Sequence, residues 1–134
     1  MVKLLRSRAA PTSDQPQVRF RMRITVADVI AIGPGKVALL EAVRDHGSIS
    51  SAARGLDMSY RRAWVLIDET NRSLKSPAVA SGHGGQNGGG SVLTPVGEQV
   101  IALYRTIEEK VAKACAGELR SLRRLLAAPR DSDI

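Results

Sequence analysis

Gly47-Ser48-Ile49-Ser50-Ser51-Ala52-Ala53-Arg54-Gly55-Leu56 and, three positions on, Ser59-Tyr60-Arg61-Arg62-Ala63-Trp64 decide how this chain is read. Ser48 or Ser50 suits the cap of a short helix, because a serine oxygen can accept from an orphan amide of the first turn. Ala52 and Ala53 allow a neighbouring helix to approach closely. Ser59 suits the cap of a longer helix running to about Leu74, so two helices meet across a tight turn. Ala63 and Ile67, four apart, face inward on the second helix, and Tyr60, Arg61 and Arg62 fill its first turn. Arginines there oppose the helix dipole unless an anion lies nearby, and a phosphate is such an anion. The bland alternative is a solvated basic turn. Trp64 is expected to pack rather than to read bases.

Upstream, Gly33-Pro34-Gly35 punctuates the chain, and Val37, Leu39, Leu40 and Val43 recur at helical spacing until Gly47. Before it, Arg19 to Val26 alternates strictly, putting Phe20, Met22, Ile24 and Val26 on one face of a half-buried strand. The arginines opposite them are either a solvated outer face or contacts to DNA. Residues 1–17 are polar, with Pro11 and Pro16 and a basic excess, and read as a flexible basic arm. Downstream, Ala78-Val79-Ala80 and Ser91-Val92-Leu93-Thr94 read as two short strands joined by the glycine-rich stretch Gly82 to Gly90. Pro95 fits the first turn of a final helix, along which Val96, Val100, Leu103, Tyr104, Ile107, Val111, Ala114 and Cys115 recur at three- and four-residue steps. Gly117 weakens that helix, so one bent helix or two in succession are expected up to Pro129.

The 134 residues suffice for one compact domain and exclude a multi-domain enzyme. Lys and Arg number 20 against 13 for Asp and Glu, and the net charge of +7 favours a polyanionic partner. Cys115 is the single cysteine, so no internal disulfide forms, and His46 and His83 lie too far apart for a local zinc site. No apolar run approaches the roughly 18 residues that cross a bilayer, and Met1 to Pro16 lacks the apolar core of a signal peptide. A cytoplasmic protein without membrane contact is expected.

The glycine stretch is no Walker loop: Gly90 is followed by Ser91-Val92-Leu93-Thr94, with no lysine and no helix. His83 and Asn87 suit contact with phosphates or minor-groove edges, or are simply a hairpin tip. Asp45 and His46 are adjacent and form no catalytic dyad, and Cys115 lies on an apolar helix face, where a buried thiol is inert. No enzyme and no cofactor are expected. The element order points to a mainly α fold with a small β-wing: a winged helix-turn-helix with a long C-terminal dimerisation helix.

Gly47 to Ala53, Ser59 to Trp64 and Gly84 to Gly97 together resemble the DNA-binding, N-terminal half of the ModE family of molybdate-responsive transcriptional regulators, and more broadly LysR-type winged helices. The likeness covers roughly residues 20–128. It implies a bacterial or archaeal transcription factor, dimeric through this domain, with Ser59, Tyr60, Arg61 and Arg62 in the major groove and the wing on the backbone. Gln86 and Asn87 stand where the family commonly has a wing lysine. Full regulators of that family continue into paired oxyanion-binding domains, which this chain is expected to lack.

The expected organisation is a basic arm (1–17), a winged helix-turn-helix (18–94), a dimerisation helix or helices (95–128) and a frayed tail (129–134). The expected function is that of a sequence-specific DNA-binding transcriptional regulator. Ser48, Ser50, Ser59, Tyr60, Arg61, Arg62, His83, Gln86 and Asn87 would meet double-stranded DNA, and Val100, Leu103, Tyr104, Ile107, Val111 and Ala114 would form a homodimer interface. The alternative is an interaction module that pairs with full-length regulators or with a separate oxyanion-binding protein and modulates them.

Overall fold

The computed structural model describes residues 15–82 and 90–127. Most of the expected basic arm, the frayed tail and His83, Gln86 and Asn87 lie outside them. The chain divides into two compact units, Arg21–Thr106 and a smaller one combining Met1–Phe20 with Ile107–Ile134.

The larger unit opens with β1 (Ile24–Val26) and β2 (Val29–Ile32), an antiparallel pair in which Val26 faces Val29 and Ile24 faces Ile32. Ala27 makes the turn in the left-handed region at φ 53°, which costs a non-glycine residue roughly 1–2 kcal/mol. The face expected to be buried here is not: Ile24 is 49% and Val26 58% exposed, while Met22 packs against the core. Among the described residues the ribbon is two-stranded, and Ala31, near its far end, is its buried residue.

Pro34 then starts α1 (Pro34–His46), where its missing amide costs nothing, and Gly47 ends it at φ 79° with its N–H bonded to the Val43 carbonyl at 2.9 Å. Of the two candidate serines, Ser48 caps α2 (Ile49–Gly55), accepting from Ser51 N at 3.0 Å. The α2 end is tied down by Leu56 and Met58 amides on Ala52 and Ala53 carbonyls, with Asp57 left-handed at φ 58°. Ser59 accepts from Arg62 N at 3.0 Å and caps α3 (Tyr60–Ser73). Val37, Leu40, Val43, Ala52, Ala53, Ala63 and Ile67 close one core between these three helices.

β3 (Val79–Ser81) and β4 (Ser91–Leu93) pair antiparallel, Ala80 opposite Val92. Thr94 then accepts from Gly97 N at 3.1 Å and opens α4 (Pro95–Ala114). Gly97 is required: a Cβ there would stand 2.4 Å from the Ala78 carbonyl oxygen. Further along, Ile101 and Tyr104 enter the core, the Tyr104 hydroxyl donates to Met22 O at 2.9 Å, and Arg105 grips Glu41 of α1 through two bonds of 2.6 and 2.9 Å.

In the smaller unit, Val18 and Phe20 line an apolar groove with Ala112, Ala116 and Leu119. Cys115, at ψ 14°, interrupts the terminal helix, and α5 (Ala116–Arg124) follows with no buried residue. Gly117 lowers the cost of breaking there by weakening the helix by about 1 kcal/mol relative to alanine.

This architecture corrects the expected fold class. In place of a single β-wing, the described residues form two separate two-stranded antiparallel sheets together with five helices, the terminal pair being the two helices in succession expected from Gly117 as one of two forms. The class is therefore mainly α with two small sheets rather than winged helix-turn-helix. Ala27 creates the added sheet and Cys115 divides the helix. Among the described residues, no helix is long and apolar enough to cross a membrane, and no group of three or more His, Cys, Asp or Glu could hold a metal.

Candidate nucleic-acid interface

The first turn of α3 is presented rather than packed. Ala63, Ile67 and Thr70 are buried, which fixes the helix and turns Tyr60, Arg61, Arg62 and Trp64 outward. Tyr60 is 55% and Trp64 48% exposed, so the expectation that Trp64 packs is only half met. No acid stands in that turn, and neither Arg61 nor Arg62 has a side-chain hydrogen bond or ion pair among the described residues. Two cations at a helix N-terminus oppose the dipole by about 0.3–1 kcal/mol each, a cost that a bound anion reverses.

The other expected contacts are less uniform. Ser48 and Ser59 spend their oxygens on caps, while exposed Ser50 accepts from Arg54 Nη1 at 3.2 Å. Of the expected interface residues on α4, Tyr104 is buried in this chain's own core and Val100 packs against it. Leu103 and Ile107 are 56% and 40% exposed, Ala114 is exposed and Val111 half-buried.

Two features that hold this surface gave no signal in the sequence. Asn71 of α3 receives Ala78 N at 2.8 Å and Val79 N at 3.2 Å on Oδ1, and its Nδ2 donates to Val79 O at 3.0 Å. The base of the β3–β4 hairpin is thereby locked to the helix, and Ser91 N adds a bond of 3.0 Å to Gly47 O at the α1–α2 corner. Lys36, 6% exposed, donates to Ile30 O and pairs with Glu69 of α3 at 2.9 Å, joining β2, α1 and α3. A lysine after Gly-Pro-Gly reads as solvated, and nothing local marks Asn71.

No protein-family model matches the chain. It is 46% identical over 91 residues to the molybdenum-pterin-binding protein MopB of Rhodobacter capsulatus, an alignment covering 68% of this chain and 34% of that protein. It is 33% identical over 121 residues to the molybdenum transport protein ModE of Azotobacter vinelandii, covering 81% and 45% respectively. With the DNA-binding transcriptional dual regulator ModE of Escherichia coli it shares 32% over 98 residues, 73% of this chain and 37% of that one. The chain thus spans between three-tenths and somewhat under half of the length of the curated relatives it matches. Their names connect the relatives with molybdenum and, for several, with transcription regulation. They also correct the expectation of a DNA-binding half considered apart from molybdate chemistry: the match of 46% is to a protein named for binding molybdenum-pterin, not to a DNA-binding domain alone.

Proposed function

We propose that this chain serves a molybdenum-related regulatory role by binding specific DNA sequences as a homodimer. The observation that carries the reading is the capped first turn of α3, where Arg61 and Arg62 stand exposed without an acid or a partner among the described residues. The net charge of +7 and the names of the regulators among the relatives support it. DNA contact falls to residues 18–94 and self-association to 95–128, where Leu103 and Ile107 leave apolar surface in water. A dimer reads two half-sites a helical turn or more apart, hence an inverted repeat. The test is selection of DNA bound by the purified protein from random fragments. An enriched inverted repeat is expected; recovery of unenriched sequence refutes specific binding.

A second reading rests on α5, which buries nothing and carries Leu122, 60% exposed, followed just past its end by Leu125 and Leu126, 80% and 58% exposed. Such a helix suits pairing with a full-length regulator or a separate oxyanion-binding protein. Co-purification with a partner in fixed ratio, alongside weak DNA binding, favours this reading.

A further inference from the structure

Three arginines from two elements line one cleft. Arg21 and Arg23, on the segment entering β1, and Arg62, on the first turn of α3, border a space of about 470 Å³ beside the β1–β2 hairpin. All three are exposed, and none has a side-chain hydrogen bond or ion pair among the described residues. The acids in the same lining do not neutralise them: Glu69 is held by Lys36 at 2.9 Å, leaving Asp28 against three free guanidiniums. The stem of Arg23 lies over Gly33, 3.5 Å from where a Cβ would stand, so the α1 entry backs that side chain. Like charges gathered around a cleft repel one another, and an anion seated among them relieves the repulsion.

We infer that this cleft receives phosphodiesters of the DNA backbone, with Arg21 and Arg23 as phosphate contacts flanking the base-reading turn of α3. The inference rests on the proposed DNA binding. A helix in the major groove lies between two phosphate backbones, so a cationic cleft beside its first turn meets the strand alongside. Arg21 and Arg23 therefore act in register and affinity rather than in base choice.

The test is fluorescence anisotropy with short duplexes of differing sequence across a salt series, using the full chain, Arg21→Ala/Arg23→Ala and Arg21→Lys/Arg23→Lys. The alanine pair should weaken binding to every duplex alike, by roughly tenfold or more at low salt, and lower the slope of log affinity against log salt by about 1–2. The lysine pair should restore most of the slope, since it keeps the charge. Thermal unfolding should not change, because neither guanidinium is bonded within the protein. Unchanged affinity and slope in the alanine pair, with a wild-type chain that binds DNA, overturns the cleft assignment and leaves the α3 reading standing. A wild-type chain that binds no duplex overturns the proposed function itself. Stoichiometric uptake of molybdate or inorganic phosphate by the wild-type chain, lost in the alanine pair, assigns the cleft to a small oxyanion and also overturns the inference.

Discussion

Replacing Asn71 by alanine should loosen the hairpin base from α3 and destabilise the whole larger unit. The side chain makes three bonds, accepting from Ala78 N and Val79 N and donating to Val79 O. Ala78 is fully buried and Val79 is 6% exposed, so truncation strands these backbone groups where water enters poorly. A stranded buried polar group costs about 1–3 kcal/mol. The Val79 N bond is the longest at 3.2 Å, and the narrow groove beside Trp64 and Asn71 admits some water, so the three do not sum fully. The expected loss is about 2–4 kcal/mol, measured by urea denaturation followed by circular dichroism. Asn71→Asp keeps both acceptor bonds but sets a carboxylate against the Val79 carbonyl, and should lose less than the alanine variant. Hydrogen exchange at Ala78 and Val79 should rise beyond the global change. Stability within about 0.5 kcal/mol of the parent for Asn71→Ala would refute the claim that this side chain holds the hairpin.

Gly97→Ala should lose about 1–3 kcal/mol in urea denaturation, because its Cβ meets the backbone oxygen of Ala78 at 2.4 Å and no rotamer relieves that; a variant as stable as the parent contradicts the close approach. Lys36→Met should keep the buried stem but break the tie to Glu69 and Ile30 O, lowering stability by about 1–2 kcal/mol, while an unchanged midpoint would mean the pair contributes nothing net. Ile107→Glu should convert a sedimenting dimer into a monomer with weaker DNA affinity, and a wild-type chain monomeric at micromolar concentration removes the dimer from the proposal. Arg61→Ala or Arg62→Ala should cost about 1–3 kcal/mol of binding, relaxing specificity at one position if the contact is to guanine and weakening all sequences alike if it is to phosphate.

The helical part of the larger unit was legible where local chemistry decides it. Ser59 stands as the cap it was expected to be, Gly47 stops α1, and Ala63 and Ile67 face the core, since capping and four-residue spacing are properties of adjacent residues. The first hairpin was not legible. Its turn uses Ala27 and Asp28 rather than a glycine or asparagine pair, and its second strand, Val29 to Ile32, is too short to announce itself. The regular alternation from Phe20 to Val26 pointed to a buried face, but Ile24 and Val26 extend past the body they were expected to cover. Tyr104 fits the apolar stripe of α4 equally well as core or as surface, and its bond to Met22, 82 positions away, is a tertiary fact. The same holds for Asn71, whose partners are backbone groups that any sequence could supply, and for the cleft shared by Arg23 and Arg62.

The hydrogen bonds between α3 and the base of the β3–β4 hairpin join the Asn71 side chain to the main chain of Ala78 and Val79, while Ser91 N ties the same hairpin to Gly47 O at the α1–α2 corner. Tyr60, Arg61 and Val65, all exposed on α3, make none of these bonds, whereas Trp64 borders the groove between α3 and the hairpin. Geometry and vocabulary are thus written in different residues. Substitutions at Tyr60, Arg61 and Val65 leave the Asn71 bonds in place, so what the surface meets can change while the tie between helix and hairpin is kept.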